Sequence, residues 1–148
     1  MTGLISINKP HTDHIFSGEK RIEWRKNPLP EGLYYVYETK NKGGCGMVIG
    51  EMHIVGSKAV DTGKALCVGM VTAGKVHPAA LKKYANNGVV YANYIEEAKR
   101  YDKPKLLNQY MKCPYPWDCG ACDLFDGLDM SCNRNIRPPQ SWCYVEEV

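Results

Sequence analysis

The sequence predicts a single α+β domain that closes, or nearly closes, into a small barrel. Three observations lead there. Five or six segments alternate apolar and polar residues with the two-residue period of half-buried strands. Two or three short stretches between them have helical composition, with Pro at the start or Gly past the end. The 148 residues leave room for one ordinary domain, not two. Strands and helices do not alternate regularly enough for a parallel sheet with crossovers.

GLISIN (3–8) alternates as a strand and ends at Lys9-Pro10, where Pro10 suits the first turn of a helix running to Ser17. Ile15 and Phe16 are its expected buried residues, and Gly18 its stop. EKRIEWRK (19–26) alternates again: Ile22 and Trp24 face one way, with Lys20, while Arg21, Glu23 and Arg25 face the other. NPLPEG breaks the chain, and GLYYVYET (32–39) is the strongest strand by aromatic and β-branched content. MVIGEMHIVG (47–56) is a further strand with a bulge expected at Gly50. VGMVTAG (68–74) reads as a short strand or turn. His77 to Asn86 reads as a helix with Pro78 at its start and Gly88 beyond its end. A strand follows over 89–101, Pro104 opens a short helix in KPKLLNQYM, and SWCYVEEV closes the chain as a strand.

Composition narrows the function classes. A chain of this length buries enough surface to fold without disulfides. No apolar run approaches the roughly 18 residues of a membrane span. MTGLISINKPHTD has neither the basic start nor the apolar centre of a signal peptide, so a cytoplasmic protein is expected. The net charge of +3 permits a nucleic-acid partner without requiring one.

The basic strand is the first candidate site. Lys20 lies among apolar neighbours, either snorkelling at an edge or facing a cleft. Desolvated there, it becomes a candidate general base. Arg25 has the planar fork that grips a phosphate bidentately, and Glu23 either holds a cation in place or accepts from a base's amine. The competing interpretation is an exposed strand laced with surface ion pairs, which contribute only about 0–1 kcal/mol each. A second basic stretch, residues 75–105, interleaves Lys75, Lys82, Lys83, Lys99, Arg100, Lys103 and Lys105 with Tyr84, Tyr91, Tyr94 and Tyr101. These tyrosines offer stacking faces for unpaired bases, or are half-buried strand residues with wet hydroxyls.

Cys113-x5-Cys119-x2-Cys122-x9-Cys132 is the second candidate site. The C-x-x-C can turn two sulfurs onto one ion, and four thiolates suit a structural zinc. An iron–sulfur centre and a metal-free loop of thiols are the alternatives. Cys143 falls in the apolar alternation of the last strand and is expected in the core. The histidines are expected to be structural: His11 and His14 on the first helix near the proposed cleft, His53 on the core side of its strand, His77 at a helix start.

Four segments, ISINKPHTDHIFSGEKRIEWRK, YVYETKNKGGCGMVIGEMHI, YDKPKLL and RPPQSWCYV, together resemble the ASCH-domain family of the PUA-like superfamily. The most specific element is G-x-K-x-x-E-x-R, here Gly18, Lys20, Glu23 and Arg25. The resemblance covers most of residues 1–148 as a single domain and skips 113–133, which reads as a Cys-rich insertion. It implies a small PUA-like β-barrel with short helices and a cleft around Lys9, Lys20, Glu23 and Arg25 that binds RNA or a nucleotide. It also implies two rival functions. One is a small hydrolase, an amidohydrolase on a modified nucleoside or a ribonuclease, with Lys20 as base. The other is a phage-related regulatory or protein-interaction module. The family's amidohydrolases carry a threonine nucleophile where this chain has Glu23, and their distal glutamate corresponds to either Glu96 or Glu97.

Overall fold

Hydrophobic alternation in the chain resolves into six strands, β1 (Thr2–Ile7), β2 (Ile22–Arg25), β3 (Gly32–Glu38), β4 (Met47–Asp61), β5 (Val89–Lys105) and β6 (Trp142–Val145). Between them lie α1 (His11–Phe16), α2 (Val68–Gly74) and α3 (Pro78–Tyr84). The structure is a computed structural model that describes residues 2–111 and 137–145. The expected Cys-rich insertion, with Cys113, Cys119, Cys122 and Cys132, lies outside the described residues. Among the described residues no helix is long and apolar enough to cross a membrane.

The strands form one mixed sheet in the order β2-β5-β4-β3-β1-β6. β1 runs parallel to β3, and the other pairs are antiparallel. The sheet is therefore not the closed barrel that the sequence suggests: β2 and β6 are its two ends and do not pair with each other. Across that opening a side chain links β2 to β1, because Arg25 at the end of β2 reaches the carbonyl of Ser6 in β1.

Three apolar clusters hold the sheet. The central one packs Ile5, Ile7, Val36, Met52 and Ile54 against Ile15 of α1. A second gathers Leu4, Tyr35, Val48 and Tyr110 on the other face, with Cys143 packed against it. The third packs Leu81 of α3 on Ile22, Trp24, Val90 and Ala92, with Met70 and Ala73 of α2 beside them.

The expected bulge beside Gly50 is present. Val36 pairs with Gly50 and Tyr37 with Val48, which leaves Ile49 as the extra residue. Glycine is required at that position, since a Cβ would lie 2.4 Å from the Lys99 carbonyl oxygen and 2.6 Å from the Phe16 ring. The bulge also reverses the phase of the strand. Ile49 faces the central cluster, but beyond it Met52 and Ile54 do so, and His53 is turned out toward Glu96 at 3.7 Å. The expected core position of His53 is overturned for this reason.

Two further expectations are corrected. VGMVTAG is helix α2, ended by Lys75 in the left-handed region (φ 52°); packing of Met70 and Ala73, three apart, outweighs its β-branched residues. Pro104 does not open a helix. Arg100 pairs with Gly50 and Lys105 with Val48, so residues 101–104 bulge from β5, where Pro104 needs no ladder N–H. Only Leu107–Gln109 makes a single 3-10 turn.

Candidate functional site

A cleft of about 740 Å³ opens where the sheet fails to close. The end of β1, α1, β2, the loop after β3, α3 and the segment 138–140 all contribute to its lining. The walls are tied together by polar contacts. Ser6 donates its backbone N–H to the Ser141 carbonyl at 3.0 Å and its hydroxyl to the Pro139 carbonyl at 2.6 Å. These bonds hold Pro138, Pro139 and Gln140 beside the cleft.

Lys20, Glu23 and Arg25 come together on its floor. Lys20 is 1% exposed, and its Nζ donates to the Gly74 carbonyl at 2.5 Å and lies 3.6 Å from Glu23 Oε2. Arg25 donates from Nε to Glu23 Oε1 at 3.1 Å and lies 3.0 Å from it through Nη2. Its remaining donors serve Ser6 O at 2.8 Å from Nη2 and Ser141 Oγ at 3.3 Å from Nη1. One carboxylate is thus shared between two cations in a largely dry place. Burial lowers the Lys20 pKa, with the Arg25 charge adding to it and Glu23 opposing.

Strand alternation places Lys20 and Glu23 on opposite faces; the structure places them in contact. β2 begins only at Ile22, so Lys20 sits in the connection from α1. There its N–H is held by the His14 carbonyl at 2.9 Å, and the next N–H by Ala73 O at 2.7 Å. Period-two reasoning does not reach across that bend. Asn93, wholly buried in β5, fixes the other side: its Nδ2 donates to Glu23 O at 3.0 Å, and its Oδ1 accepts from Leu29 N at 2.8 Å.

Lys9 does not line the cleft; its ammonium is 3.5 Å from Asp13. Of the four candidate stacking tyrosines, Tyr84 lines the cleft, with the Lys26 ammonium 5.1 Å from its ring centre. Tyr91, Tyr94 and Tyr101 do not, and Tyr101 donates its hydroxyl to Glu51 at 2.9 Å. Neither Glu96 nor Glu97 lines it.

Sequence reasoning passed over three contributors. His11, expected to be structural, lines the cleft, and its Nδ1 is buried with no hydrogen-bond partner among the described residues. Trp24 is in the same position through its Nε1. That indole sits against Gly74, where a Cβ would come within 2.0 Å of Nε1. Glu38, 2% exposed, accepts from Thr12 Oγ1 at 2.6 Å and from Cys45 N at 2.9 Å. Burial pushes its carboxyl up, but these bonds outweigh that and leave it below the usual range. Glu38 thereby anchors the loop that carries Thr39 and Asn41 into the cleft. Only the YVYET motif hinted at it.

Among the described residues no group of three or more His, Cys, Asp or Glu is arranged to hold a metal ion.

No family model and no curated protein matches the sequence. Solved structures do match. The crystal structure of an ASCH protein from Zymomonas mobilis superposes with a TM-score of 0.66 at 18% identity, covering 98% of this chain and 87% of that one. Crystal structures of two single-residue mutants of that protein match at 17% identity and the same TM-score, covering 88% and 90% of those chains. The fold is that of an ASCH domain. The ASCH resemblance read from the sequence thus has its counterpart in the fold, as an open mixed sheet rather than a closed barrel.

Proposed function

We propose that this ASCH domain binds RNA or a nucleotide in the cleft between β2 and β1. The observation that supports this best is the composition of the cleft floor. Lys20, Glu23 and Arg25 form a pre-set charged group there, and two ring nitrogens beside it, His11 Nδ1 and Trp24 Nε1, are unpartnered among the described residues. A volume of about 740 Å³ suits a base with its sugar, and the Tyr84 ring at the edge offers a stacking face. Lys9 follows the cleft-lining Asn8 and is paired with the surface carboxylate of Asp13, and Lys26 lies over the ring of the cleft-lining Tyr84. Glu23 keeps the two floor cations aligned, and Arg25 orients a ligand oxygen where its guanidinium meets the 138–141 wall.

Fluorescence anisotropy with a labelled single-stranded hexauridylate tests the reading. Affinity should fall steeply as salt rises, with a log–log slope near −0.7 for each phosphate neutralised. Lys20→Met should weaken binding while leaving the far-UV spectrum unchanged. Salt-independent binding, or none, rejects the reading.

A second reading has one observation in its favour. Lys20 is a buried amine whose pKa desolvation lowers against the opposing charge of Glu23 at 3.6 Å, and desolvation is how a lysine general base is prepared. In that reading Lys20 and Glu23 are the catalytic pair of a small hydrolase on a modified nucleoside or on RNA. Turnover lost in Lys20→Met, with RNA affinity retained, would distinguish it from binding alone.

The spacing of Cys113, Cys119, Cys122 and Cys132 supports a structural zinc. Elemental analysis of the purified protein, beside Cys119→Ser, tests it: about one zinc per chain, lost in the variant, is expected.

A further inference from the structure

His11 opens α1 directly behind the end of β1, and its ring lies in the cleft with Lys20, Glu23 and Arg25. Its Nδ1 is buried and has no hydrogen-bond partner among the described residues, which is uncommon for a polar atom out of reach of water. The groups that act on it from each surrounding element are known. Lys20 stands in the connection to β2, Glu23 is on β2, Lys42 is in the loop after β3, and His14 is on its own helix. Three of these four are cationic or can become so. The only acid among them, Glu23, already gives one oxygen to Lys20 and the other to Arg25.

The free protein consequently has nothing to offer a protonated Nδ1. With a neutral ring, Nδ1 presents an unused lone pair; with a charged ring, it presents an N–H with no acceptor and cations on its flanks. An oxyanion in the cleft reverses both conditions at once. It supplies the acceptor, and its charge offsets Lys20 and Lys42.

We propose that His11 is an anion-linked proton switch in the cleft: its ring turns to bring the buried Nδ1 to a phosphodiester oxygen and takes up a proton as that oxygen binds. The proposal rests on the reading of the cleft as a nucleotide site and adds the chemistry of one contact. Burial and the Lys20 charge hold the free ring below its ordinary pKa, so it is neutral near pH 7. A bound anion raises that pKa. Affinity for the anion then increases as pH falls through the raised value, and levels off below the value of the free protein.

Two probes are used on the full chain. Hexauridylate carries phosphodiesters that do not titrate between about pH 5 and about pH 8, so any pH dependence belongs to the protein. Inorganic sulfate is a dianion throughout the same range. The His11 ring is followed by NMR with and without each probe, and hexauridylate affinity is measured across the range. Expected are an upward shift of the His11 pKa with both probes and an affinity gain of roughly threefold or more from about pH 7.5 to about pH 5. His11→Asn keeps an amide near the Nδ1 position but cannot titrate, and its affinity should be flat with pH. RNA binding with an unmoved His11 pKa would overturn the switch while leaving the RNA site standing. A pKa raised by sulfate without RNA binding would support the switch and reject the RNA ligand. No response to either probe would reject both.

Discussion

Two basic regions of this chain look alike in sequence and differ completely in space. Residues 18–26 place Lys20 out of water and Arg25 half-buried, on either side of one carboxylate. Residues 96–105 place Lys99, Arg100, Lys103 and Lys105 on an exposed strand. There Arg100 stands 3.7 Å from Asp13 at the surface and Lys105 lies 4.7 Å from the centre of the Tyr101 ring. A buried cation must be paired and hydrogen-bonded or it destabilises the fold, so the first region is fixed by the protein's own needs. An exposed cation is nearly neutral in stability and free to move. The number of charges therefore says little about function, whereas their desolvation says which ones can define a site.

Four changes probe that contrast, in falling order of effect. Glu23→Ala leaves Lys20 and Arg25 without their shared carboxylate, and a loss of about 3–5 kcal/mol is expected in a urea unfolding curve. Stability within error of wild type would show that the group is hydrated after all. Gly74→Ala forces a methyl toward the Trp24 indole and disturbs the carbonyl that receives Lys20. About 1–3 kcal/mol is the expected cost, with a shift in tryptophan emission reporting the displaced ring.

His11→Asn acts through pH and has a smaller effect. The folded ring has its pKa held below 6.5, so above that value folding and unfolding involve no proton at His11. As pH falls from about 6.5 through the lowered value, the unfolded chain takes up a proton that the fold resists, and stability declines. The Asn variant should lose less stability over that window, as read from thermal midpoints at about pH 7 and about pH 5. The double change Lys99→Ala with Lys103→Ala is the smallest, within about 0.5 kcal/mol in the same unfolding assay. A larger loss would mean that the second region is structurally engaged too.

The parts of the fold that were legible in sequence are those where a local rule acts without interference. GLYYVYE alternates and is a strand, Pro78 opens α3, and Gly50 marks a bulge because another backbone crosses it closely. Two misreadings of which way a side chain faces share a cause: the two-residue period was interrupted. The extra Ile49 turned His53 outward, and a strand starting at Ile22 rather than Glu19 brought Lys20 to Glu23. The motif residues Lys20, Glu23 and Arg25 could be named, but the walls around them could not. Arg25 meets Ser141 across 116 positions, and only the completed sheet shows that contact. His11 could be placed near the cleft but given no role there, because a histidine on a short helix carries no local mark of an unsatisfied nitrogen.

Chemical-shift mapping with single-stranded hexauridylate tests the central claim most directly, because it reports both basic regions in one titration. The cleft account predicts saturable shifts at His11, Arg25, Tyr84 and the Trp24 indole N–H, with the 99–105 strand unmoved. Shifts confined to Lys99, Arg100, Lys103 and Lys105, with the cleft silent, would contradict it.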